Sequence, residues 1–391
     1  MLSRRDFLRN MAFAGAATAS VSACRALYFM DEEEAAPYIA GKSGMIVRSS
    51  RFLDLEMPRE YVTSFITPLE HFFVRNHMHE PSTLDRAGWR LRVGGEVEKP
   101  LSLSLADLDQ LQSHTIVNTL ECAGNGRASI EPHVPGIQWQ VGAVGTARFS
   151  GVRLADLLTR AGVKPAGQHV MFRGLDEVPG KVPPFIRSIP IEKARHPDTL
   201  VATHMNGVRL FKHHGFPARA LIPGWVGAAS CKWLAEVKVL DRPFEGNFMN
   251  PGYRLPNGSI RPGDSLTLEN SHSLTTLAVK SLIVTPREAA KLRPGILQVR
   301  GVAWAGEADI TGVDVSMDSG ATWQPARLSR DRAPYAWRFW KHSLNLRRPG
   351  SYTIISRARD SQGRVQPASV SWNPGGYLNN VTPQVTIHVE A

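Results

Sequence analysis

The chain has 391 residues, of which 42% are hydrophobic and 21% charged, a composition typical of a globular protein with room for two or three domains. Its formal net charge of +11 comes from lysines and arginines spread along the sequence without a basic run. This pattern argues against a nucleic-acid partner and favours the attraction of small anions into a cleft.

The first residues predict export. Arg4 and Arg5 precede a short apolar run, residues 11–23, that ends in small side chains. The run is too short to cross the ~30 Å hydrocarbon core of a membrane, so the pattern indicates a twin-arginine signal and a periplasmic location. Such signals resemble those of proteins that are exported already folded, often with an inserted cofactor. A bound cofactor is therefore expected.

A cysteine closes the apolar run. Residues 21–24, "VSAC", match a lipobox, in which Cys24 would carry a lipid anchor, and an ordinary cleavage site beside a chance cysteine is the alternative. The acidic, unpatterned stretch 31–44 that follows is typical of a tether. We assign residues 1–36 to the export signal with this lipobox and tether.

The next part of the chain, residues 37–272, mixes short helices and strands with many Gly/Pro turns. Residues 103–114 and 152–163 show the apolar spacing of helices, and Gly162 is placed to cap the second one. The runs "HVMFRGL" and "ARALIPG" predict strands. Because strands and helices do not alternate regularly, we expect an α+β domain and not a doubly wound parallel sheet.

The last part of the chain, residues 273–391, is rich in short β-type segments separated by turn signals. This spacing predicts an all-β, immunoglobulin-like sandwich. Its aromatic segment "YAWRFWKHS" places Trp337, Phe339 and Trp340 either in the core of the sandwich or in a contact between two copies of the chain.

A cysteine lies in the glycine-studded stretch "TLECAGNGR", residues 119–127. Gly124 and Gly126 permit backbone conformations that a side chain would forbid, so we expect Cys122 to be presented and not buried in a strand. The neighbouring Arg127 would lower the pKa of its thiol. Three interpretations remain open on this chemistry alone: an inert structural thiol, a nucleophile and a soft metal ligand.

Neither a disulfide nor a zinc site is well supported. The sequence contexts of Cys122 and Cys231 argue against a bond between them, although one disulfide would be the default for an exported chain. The histidine pairs 77/79 and 213/214 are only weak zinc candidates, because no CxxC motif accompanies them.

The cysteine stretch and five further segments, in the same order, resemble the sulfite oxidase family of molybdopterin oxidoreductases, most of all the molybdenum subunit of bacterial periplasmic sulfite dehydrogenases. These segments are "HFFVRNH" (71–77), "GLDEVPG" (174–180), "HGFPARALIPGWVGAASCKW" (214–233), "DVSMDSGATWQPARL" (314–328) and "VQPASVSWNPGGYL" (365–378). The resemblance implies a mixed α/β molybdopterin-binding catalytic domain over residues 37–272. It also implies that the immunoglobulin-like domain, residues 273–391, mediates a homodimer.

The resemblance implies Mo-molybdopterin as the cofactor, with one molybdenum per chain and Cys122 as its only protein ligand. His214, Arg219 and Lys232 would neutralise the cofactor's phosphate, which needs charge-assisted hydrogen bonds if it is buried. Cys231 would contribute its main chain and not its sulfur. The full implied cofactor-binding set is Phe73, Val74, Arg75, Asn76, His77, Asp176, His214, Arg219, Ser230, Cys231 and Lys232.

The resemblance also implies three catalytic residues. Arg75 and Arg127 would bind sulfite or a related small oxyanion, and Tyr253 would hydrogen-bond the reactive oxygen. Trp139 is expected either to wall the pocket or to belong to the core. The implied reaction oxidises sulfite to sulfate by oxo transfer. The chain has neither a CxxCH haem site nor a segment resembling cytochrome b5, so a separate electron acceptor is implied, most simply a c-type cytochrome.

One departure leaves the substrate open. Relatives often carry an arginine in the tail motif where this chain has Gly375, so one pocket cation would be missing. Sulfane dehydrogenases and nitrate reductases share the two cofactor motifs and remain alternatives. A non-catalytic periplasmic binding lipoprotein is a further alternative, but Arg75, Cys122 and Arg127 together disfavour it.

Overall fold

A computed structural model describes residues 40–390 of the chain. The predicted twin-arginine signal, Cys24 and most of the acidic tether lie outside the described residues. No helix between residues 40 and 390 is both long enough and apolar enough to cross a membrane. The α-helices of the described part are α1 (Leu105–Asp109), α2 (Leu154–Ala161) and α3 (Ile191–Ala194).

Strands dominate the first part of the described chain. They are β1 (Ile46–Ser49), β2 (Asp54–Glu56), β3 (Leu91–Gly95), β4 (Leu101–Leu103), β5 (Ser113–Glu121), β6 (Val144–Arg153), β7 (His169–Gly174), β8 (Ile186–Pro190), β9 (Leu200–Met205), β10 (Val208–Arg209), β11 (Arg219–Leu221), β12 (Leu234–Leu240), β13 (Arg254–Pro256) and β14 (Ser271–Ser273).

These strands form two five-stranded sheets and two small pairs. One sheet has the order β10-β9-β6-β5, with β11 also paired to β9, and the other has the order β4-β3-β12-β7-β8. In the second sheet β12 runs parallel to β3 and antiparallel to β7. β1 pairs with β2, and β13 pairs with β14, which contains the predicted domain boundary at residue 272.

Helix α2 forms where its apolar spacing predicts. Leu154, Leu157, Leu158 and Ala161 are buried on one face against the second sheet. Gly162 ends the helix with φ of 67°, a left-handed conformation that suits glycine. The prediction of this helix and of its cap is confirmed.

The helix predicted over residues 103–114 is much shorter. Ser104 caps α1, and the helix ends at Asp109. Residues from Ser113 onward join β5 instead, where nine residues pair with β6. The β-branched run from Thr115 to Val117 favours this extended pairing over continued helix.

The last third of the chain forms two further sheets around one core. Its strands are β15 (Lys280–Thr285), β16 (Ala290–Leu292), β17 (Gly295–Trp304), β18 (Ile310–Ser316), β19 (Gln324–Pro325), β20 (Arg327–Leu328), β21 (Arg338–Leu346), β22 (Gly350–Asp360) and β23 (Gln384–Val389). One sheet has the order β15-β17-β21-β20 and the other β16-β23-β22-β18-β19. Their inner faces meet in one hydrophobic cluster.

Two tryptophans of the aromatic segment "YAWRFWKHS" are buried in the protein interior. Trp340 is 2% exposed in the core of the last third, and Trp337 is fully buried in a cluster that joins the last third to the first part. The Trp337 indole Nε1 donates to the carbonyl oxygen of Phe65 at 2.9 Å. These two tryptophans are therefore core residues and are not available for contact with a second chain.

A buried polar cluster links the cysteine loop to the last third of the chain. Glu121, directly before Cys122, accepts from Lys280 Nζ at 3.0 Å and from Trp304 Nε1 at 2.8 Å. It also accepts from Asn125 Nδ2 at 2.9 Å. Both charges of the ion pair are buried, so each depends on the other for compensation.

We expect Lys280→Met to lower the free energy of unfolding by about 3 kcal/mol, because it leaves the buried Glu121 carboxylate without its partner. Denaturant unfolding of the purified protein measures the change. The double variant Lys280→Met/Glu121→Gln is the control and is expected to recover part of the loss. A single variant as stable as the wild type would show that the pair does not bear on stability.

Candidate active site

A cavity opens beside Cys122. Its walls come from residues 72–78, the end of β5, the stretch 227–233 and Tyr253. These segments are far apart in sequence, and the packing of the two first-part sheets brings them together. The predicted site residues that line the cavity are Phe73, Val74, Arg75, Asn76, His77, Cys122, Asp176, His214, Arg219, Ser230, Cys231, Lys232 and Tyr253.

Cys122 follows β5 immediately and lines the cavity floor while remaining 8% exposed. Its N–H donates to Ala143 O at 2.9 Å, which holds the backbone against β6. Burial raises the pKa of the thiol, and the nearby guanidinium groups of Arg75 and Arg127 offset this only in part. The expectation of a lowered thiol pKa is therefore corrected, because desolvation outweighs the cations, whereas Cys122 lies outside the strand and lines the cavity as expected. A metal bound here would have to displace the thiol proton.

The glycines of the loop make room for Arg127. A Cβ atom at Gly124 would collide with the Arg127 guanidinium in its present position, so glycine leaves room for the guanidinium there. Gly126 has φ of 92° and precedes the short 3-10 turn that begins at Arg127. The loop glycines thus serve the packing of an arginine as well as the exit from β5.

Arg127 itself does not line the cavity. Its Nε and Nη2 donate to Gly375 O at 3.0 and 2.8 Å, and its Nη1 donates to Ile137 O at 2.8 Å. Gly375 thus offers a carbonyl acceptor where the resemblance suggests a cation. The predicted role of Arg127 in anion binding stays a prediction, since in this structure these donors are engaged by the backbone.

Both cysteines of the described range are free thiols, as their sequence contexts predict. Cys231 is 2% exposed and packs into the core of the second sheet while touching the cavity. Burial raises the pKa of its thiol to about 12, so it is inert at neutral pH. Trp139 is fully buried in the core under the first sheet and does not line the cavity.

One end of the cavity carries buried cations. Arg219 is 5% exposed; its Nη1 donates to His214 O at 3.1 Å and its Nη2 to Ser230 O at 3.0 Å. Its Nε is buried without a hydrogen-bond partner among residues 40–390. Burial lowers its pKa to about 10. An unsatisfied, buried guanidinium donor at a cavity wall favours a bound anion.

Lys232 stands at the same end. Its Nζ donates to Asn76 Oδ1 and, at 2.9 Å, to His213 O. The ammonium also lies 4.3 Å from the centroid of the Trp233 ring. Burial lowers the pKa of Lys232 to about 7, and the carboxylate of Glu80 opposes this shift. A lysine desolvated to this degree is stabilised in its charged form by an anion.

The opposite end of the cavity holds a tyrosine–histidine pair. The Tyr253 hydroxyl lies 2.5 Å from His77 Nε2, and the His77 ring stacks on Phe185 with centroids 4.3 Å apart. Burial raises the pKa of Tyr253 and lowers that of His77 well below its usual value. Both groups are therefore neutral, and one proton lies in the bond between them.

Arg75 also lines the cavity, and a buried aspartate holds its guanidinium in place. Its Nη1 is 3.2 Å from Oδ1 of Asp54, a carboxylate that is 1% exposed and also accepts the Asn76 N–H at 3.0 Å. Burial raises the pKa of Asp54, and Arg75 opposes that shift. The aspartate thus orients the guanidinium at the cavity wall, and the guanidinium compensates the buried carboxylate.

Sequence reasoning missed several residues around the cavity. Asp54 and Lys42 precede the recognisable motifs, and no sequence signal connects them to the site. Arg187 is 2% exposed, places its Cζ atom 4.9 Å from the Tyr253 ring centroid and donates to Phe248 O. Its position between apolar residues of β8, in "FIRSIP", is an unusual place for a charge and could have drawn attention.

The residues present fit a phosphorylated metal chelate. The Cys122 thiol lines the same cavity as Arg219 and Lys232, two buried cations whose charges favour a bound anion. Residues 40–390 hold no group of three or more His, Cys, Asp or Glu side chains placed to bind a metal by themselves. A metal here would therefore need ligands from a chelate in addition to the single thiolate. Asp176, whose pKa burial raises to about 6, also lines the cavity.

Two family models match the chain. One, described as "Oxidoreductase molybdopterin binding domain", matches residues 77–248, and the other, described as "Mo-co oxidoreductase dimerisation domain", matches residues 271–390. Together they cover most of the described range and agree with its division into two groups of sheets.

Sulfite oxidases are among the proteins with similar sequences. The chain is 38% identical over 352 residues to sulfite oxidase of Gallus gallus, covering 86% of this chain and 76% of that protein. It is 36% identical to the mitochondrial sulfite oxidase of Rattus norvegicus over 88% of this chain, but spans only 65% of that relative's length.

A solved structure is also similar. The sulfane dehydrogenase SoxCD of Paracoccus pantotrophus matches with a TM-score of 0.76 and 28% identity, over 94% of this chain and 96% of that one. The family models, the sequence identities and this structure agree with the cavity in which Cys122 faces a cationic end. The chain belongs to the sulfite oxidase family of molybdopterin oxidoreductases.

Proposed function

We propose that the protein oxidises sulfite to sulfate at a molybdenum held by molybdopterin and passes the electrons to a separate acceptor. The observation that carries the proposal is the shared cavity: Cys122, Arg75 and Tyr253 line the same space as the cationic end formed by His214, Arg219 and Lys232. Sulfite oxidases of two vertebrates are similar over more than four fifths of this chain, which supports the same substrate.

Different residues of the cavity would hold the phosphate, the pterin and the metal of the cofactor. His214, Arg219 and Lys232 would hold the phosphate, Asp176 would bond the pterin and the Cys122 sulfur would bind the metal. When bound, the molybdenum would supply the redox centre that delivers oxygen to sulfite and takes up its two electrons. Around it, Phe73 and Val74 would exclude water from one side.

Substrate handling would fall to Arg75 and the tyrosine–histidine pair. The Arg75 guanidinium, oriented by Asp54, would bind an oxyanion through its planar fork. The Tyr253 hydroxyl would hydrogen-bond the reacting oxygen, and His77 would exchange the proton that this hydroxyl gives up or takes. Both are neutral in the resting site, so the bond between them holds one proton without a buried charge, and a proton leaves or enters the pair only as the reacting oxygen gives up or takes one.

A second candidate function is oxidation of a sulfane-type sulfur compound. The similar structure of a sulfane dehydrogenase covers nearly the whole chain, and Gly375 supplies a carbonyl to Arg127 where a cation is suggested by the family pattern. A pocket with one cation fewer would favour a substrate of lower charge density.

Anaerobic addition of sulfite to the loaded protein tests the main proposal. We expect a sulfite-dependent molybdenum EPR signal and steady reduction of cytochrome c. Thiosulfate and nitrate, added in parallel, are expected to give neither. Turnover with thiosulfate and none with sulfite would favour the second candidate, and no molybdenum after cofactor-competent expression would favour a binding lipoprotein.

We further propose a periplasmic location, a lipid anchor at Cys24 and a c-type cytochrome as acceptor. The twin-arginine and lipobox patterns support the first two, and the lack of a haem motif in the chain supports the third. Mass spectrometry of the mature N-terminus tests the anchor, and reduction kinetics with purified periplasmic cytochromes test the acceptor.

We infer that the first part is an α+β domain and that the last third is an immunoglobulin-like sandwich through which two chains form a homodimer. The two facing sheets around one core support the sandwich, and the match to a dimerisation domain supports the homodimer. Light scattering on the purified protein is expected to give twice the chain mass.

The cationic end makes a pH-dependent prediction. With its pKa near 7, Lys232 is charged below that pH and must take up a proton to bind a dianion above it. We expect the dissociation constant of sulfate for the cofactor-free protein to rise about 20-fold from about pH 6.5 to about pH 8.5. Calorimetric titration measures it. Burial also lowers the pKa of the neighbouring Lys42 to about 7. The control is therefore Lys232→Arg, which stays charged throughout and should remove the Lys232 share of the dependence; an unchanged dependence would contradict the assignment.

A further inference from the structure

A lysine outside every recognised motif reaches the cationic end of the cavity. Lys42 precedes β1, and its Nζ lies 2.6 Å from Leu69 O, 2.6 Å from Phe72 O and 2.8 Å from His214 Nε2. An ammonium has three donors and no acceptor. Burial lowers the pKa of Lys42 to about 7. Below that pH Lys42 is an ammonium, and these three partners use all three of its donors.

When Lys42 is charged, this geometry selects one tautomer of His214. A group that can only donate bonds to Nε2 only if that nitrogen carries a lone pair, so the proton of the neutral imidazole must lie on Nδ1. His214 is 2% exposed and meets the Phe72 ring edge to face, with centroids 5.4 Å apart, so its ring is held in place. A neutral ring is also what the surroundings favour, because Lys42, Lys232 and Arg219 all oppose a further positive charge.

Lys42 also ties the start of the described chain to the segment that enters the cavity. The two carbonyls it binds belong to the turn Leu69–His71 and to Phe72, directly before the cavity-lining run 73–77. Next to it, Ser43 N–H donates to Glu70 O at 3.3 Å, and Ser43 O contacts His71 Nδ1 at 3.1 Å. The bond to His214 joins this turn to the opposite wall of the cavity.

We propose that Lys42 is a positioning residue for the phosphate end of the cofactor site: by donating to Nε2 it makes His214 present an Nδ1–H donor, and not a lone pair, to the bound phosphate. A phosphate oxygen accepts hydrogen bonds and repels a lone pair, so the wrong tautomer would oppose binding. The inference rests on the proposed function only in taking molybdopterin as the ligand.

The first test needs no variant. Histidine-selective nitrogen-15 NMR of the loaded protein distinguishes a protonated ring nitrogen from one with a lone pair, and the signals missing from His214→Asn assign the residue. Below the pKa of Lys42, where its ammonium form prevails, we expect Nδ1 protonated and Nε2 unprotonated. An Nε2–H tautomer or a doubly protonated ring would overturn the proposal.

The second test measures cofactor release. We expect Lys42→Met to release the fluorescent pterin about tenfold faster than the wild type, since one charge-assisted hydrogen bond at the phosphate is lost. The His214→Asn background is the matched control, because the asparagine amide offers a donor near the Nδ1 position without needing Lys42. There the same Lys42→Met change is expected to have less than about a threefold effect.

Equal effects of Lys42→Met in both backgrounds, or no effect in either, would show that Lys42 does not act through His214. Neither measurement uses sulfite turnover. A protein that binds molybdopterin but fails the sulfite assay would leave this proposal standing, so the two failures are distinguishable.

Discussion

Replacing Cys122 with serine is expected to reduce sulfite oxidation by about a thousandfold or more while the chain keeps its fold. The thiolate is a soft ligand suited to a transition metal, whereas a serine hydroxyl is a harder donor that stays protonated at neutral pH. The side chain adds little to packing, since a serine differs by one atom in a site that already borders a cavity. Sulfite-dependent cytochrome c reduction measures the loss.

The cofactor itself is expected to remain largely bound in this variant. The cationic end would hold the phosphate through residues that the substitution does not touch, Arg219 and Lys232 among them. Molybdenum by mass spectrometry and pterin by fluorescence therefore separate a lost metal–sulfur bond from a lost cofactor. If molybdenum loading and sulfite oxidation both survive unchanged, Cys122 is not the ligand.

Cys231→Ser is the matched control, because the second thiol is also buried and also borders the cavity. Only the main chain of Cys231 is assigned to the cofactor. Its substitution is expected to lower activity by far less than that of Cys122, and an equal loss at both positions would point to a general effect of altering the cavity wall.

Removing the charge of Arg75 is expected to raise KM for sulfite about 100-fold in the Arg75→Met variant. Charge-assisted hydrogen bonds are worth about 1.5–3 kcal/mol each, and this guanidinium is the one that both lines the cavity near Tyr253 and is oriented by a buried carboxylate. Steady-state kinetics measure KM and kcat separately. A variant with an unchanged KM would exclude Arg75 from sulfite binding.

The same substitution is expected to destabilise the protein by about 3 kcal/mol at neutral pH, because Asp54 keeps its burial but loses its partner. Burial already raises the pKa of Asp54, so in the folded state the carboxyl holds its proton to higher pH than in the unfolded state. Such a group weakens folding as the pH rises. Without Arg75 the pKa rises further, and the stability difference from the wild type should shrink as the pH falls toward the unfolded-state pKa.

The double variant Arg75→Met/Asp54→Asn separates the two roles. It removes the uncompensated carboxylate and is expected to recover most of the stability without recovering sulfite affinity. Recovery of both would show that Arg75 acts only through stability.

Short-range features of the fold were predictable from the chain order alone. The spacing of leucines and the glycine after them predicted α2 and its cap, and alternating β-branched segments predicted the strands of the last third. Helix 103–114 was overestimated because apolar spacing of three and four also fits a short helix followed by a strand. Pairing with β6 then decided the outcome, and that pairing lies outside any local window.

In the candidate site, too, the sequence predicted residues that lie in local motifs and missed residues that act across the fold. The motifs at residues 71–77, around Cys122 and at residues 214–233 contain most of the cavity-lining residues, because each motif keeps its functional side chains within a few positions of one another. Lys42 and Asp54 were not predicted, because each contacts a residue of a distant motif, His214 and Arg75 respectively, and lies in no motif of its own. The expected acidity of the Cys122 thiol was corrected for a related reason: the neighbouring Arg127 is visible in sequence, but the burial that outweighs it is not.

By itself, the sequence determined the family, the residues of the cofactor motifs and the change from a mixed first part to an all-β last third. Only the tertiary structure decided that Arg127 bonds the carbonyl of Gly375, 248 positions away, and that Lys280 compensates Glu121 across 159 positions. The physical reason is that local propensity and spacing act between near neighbours. Desolvation and the pairing of buried charges depend instead on which distant segments share the same interior.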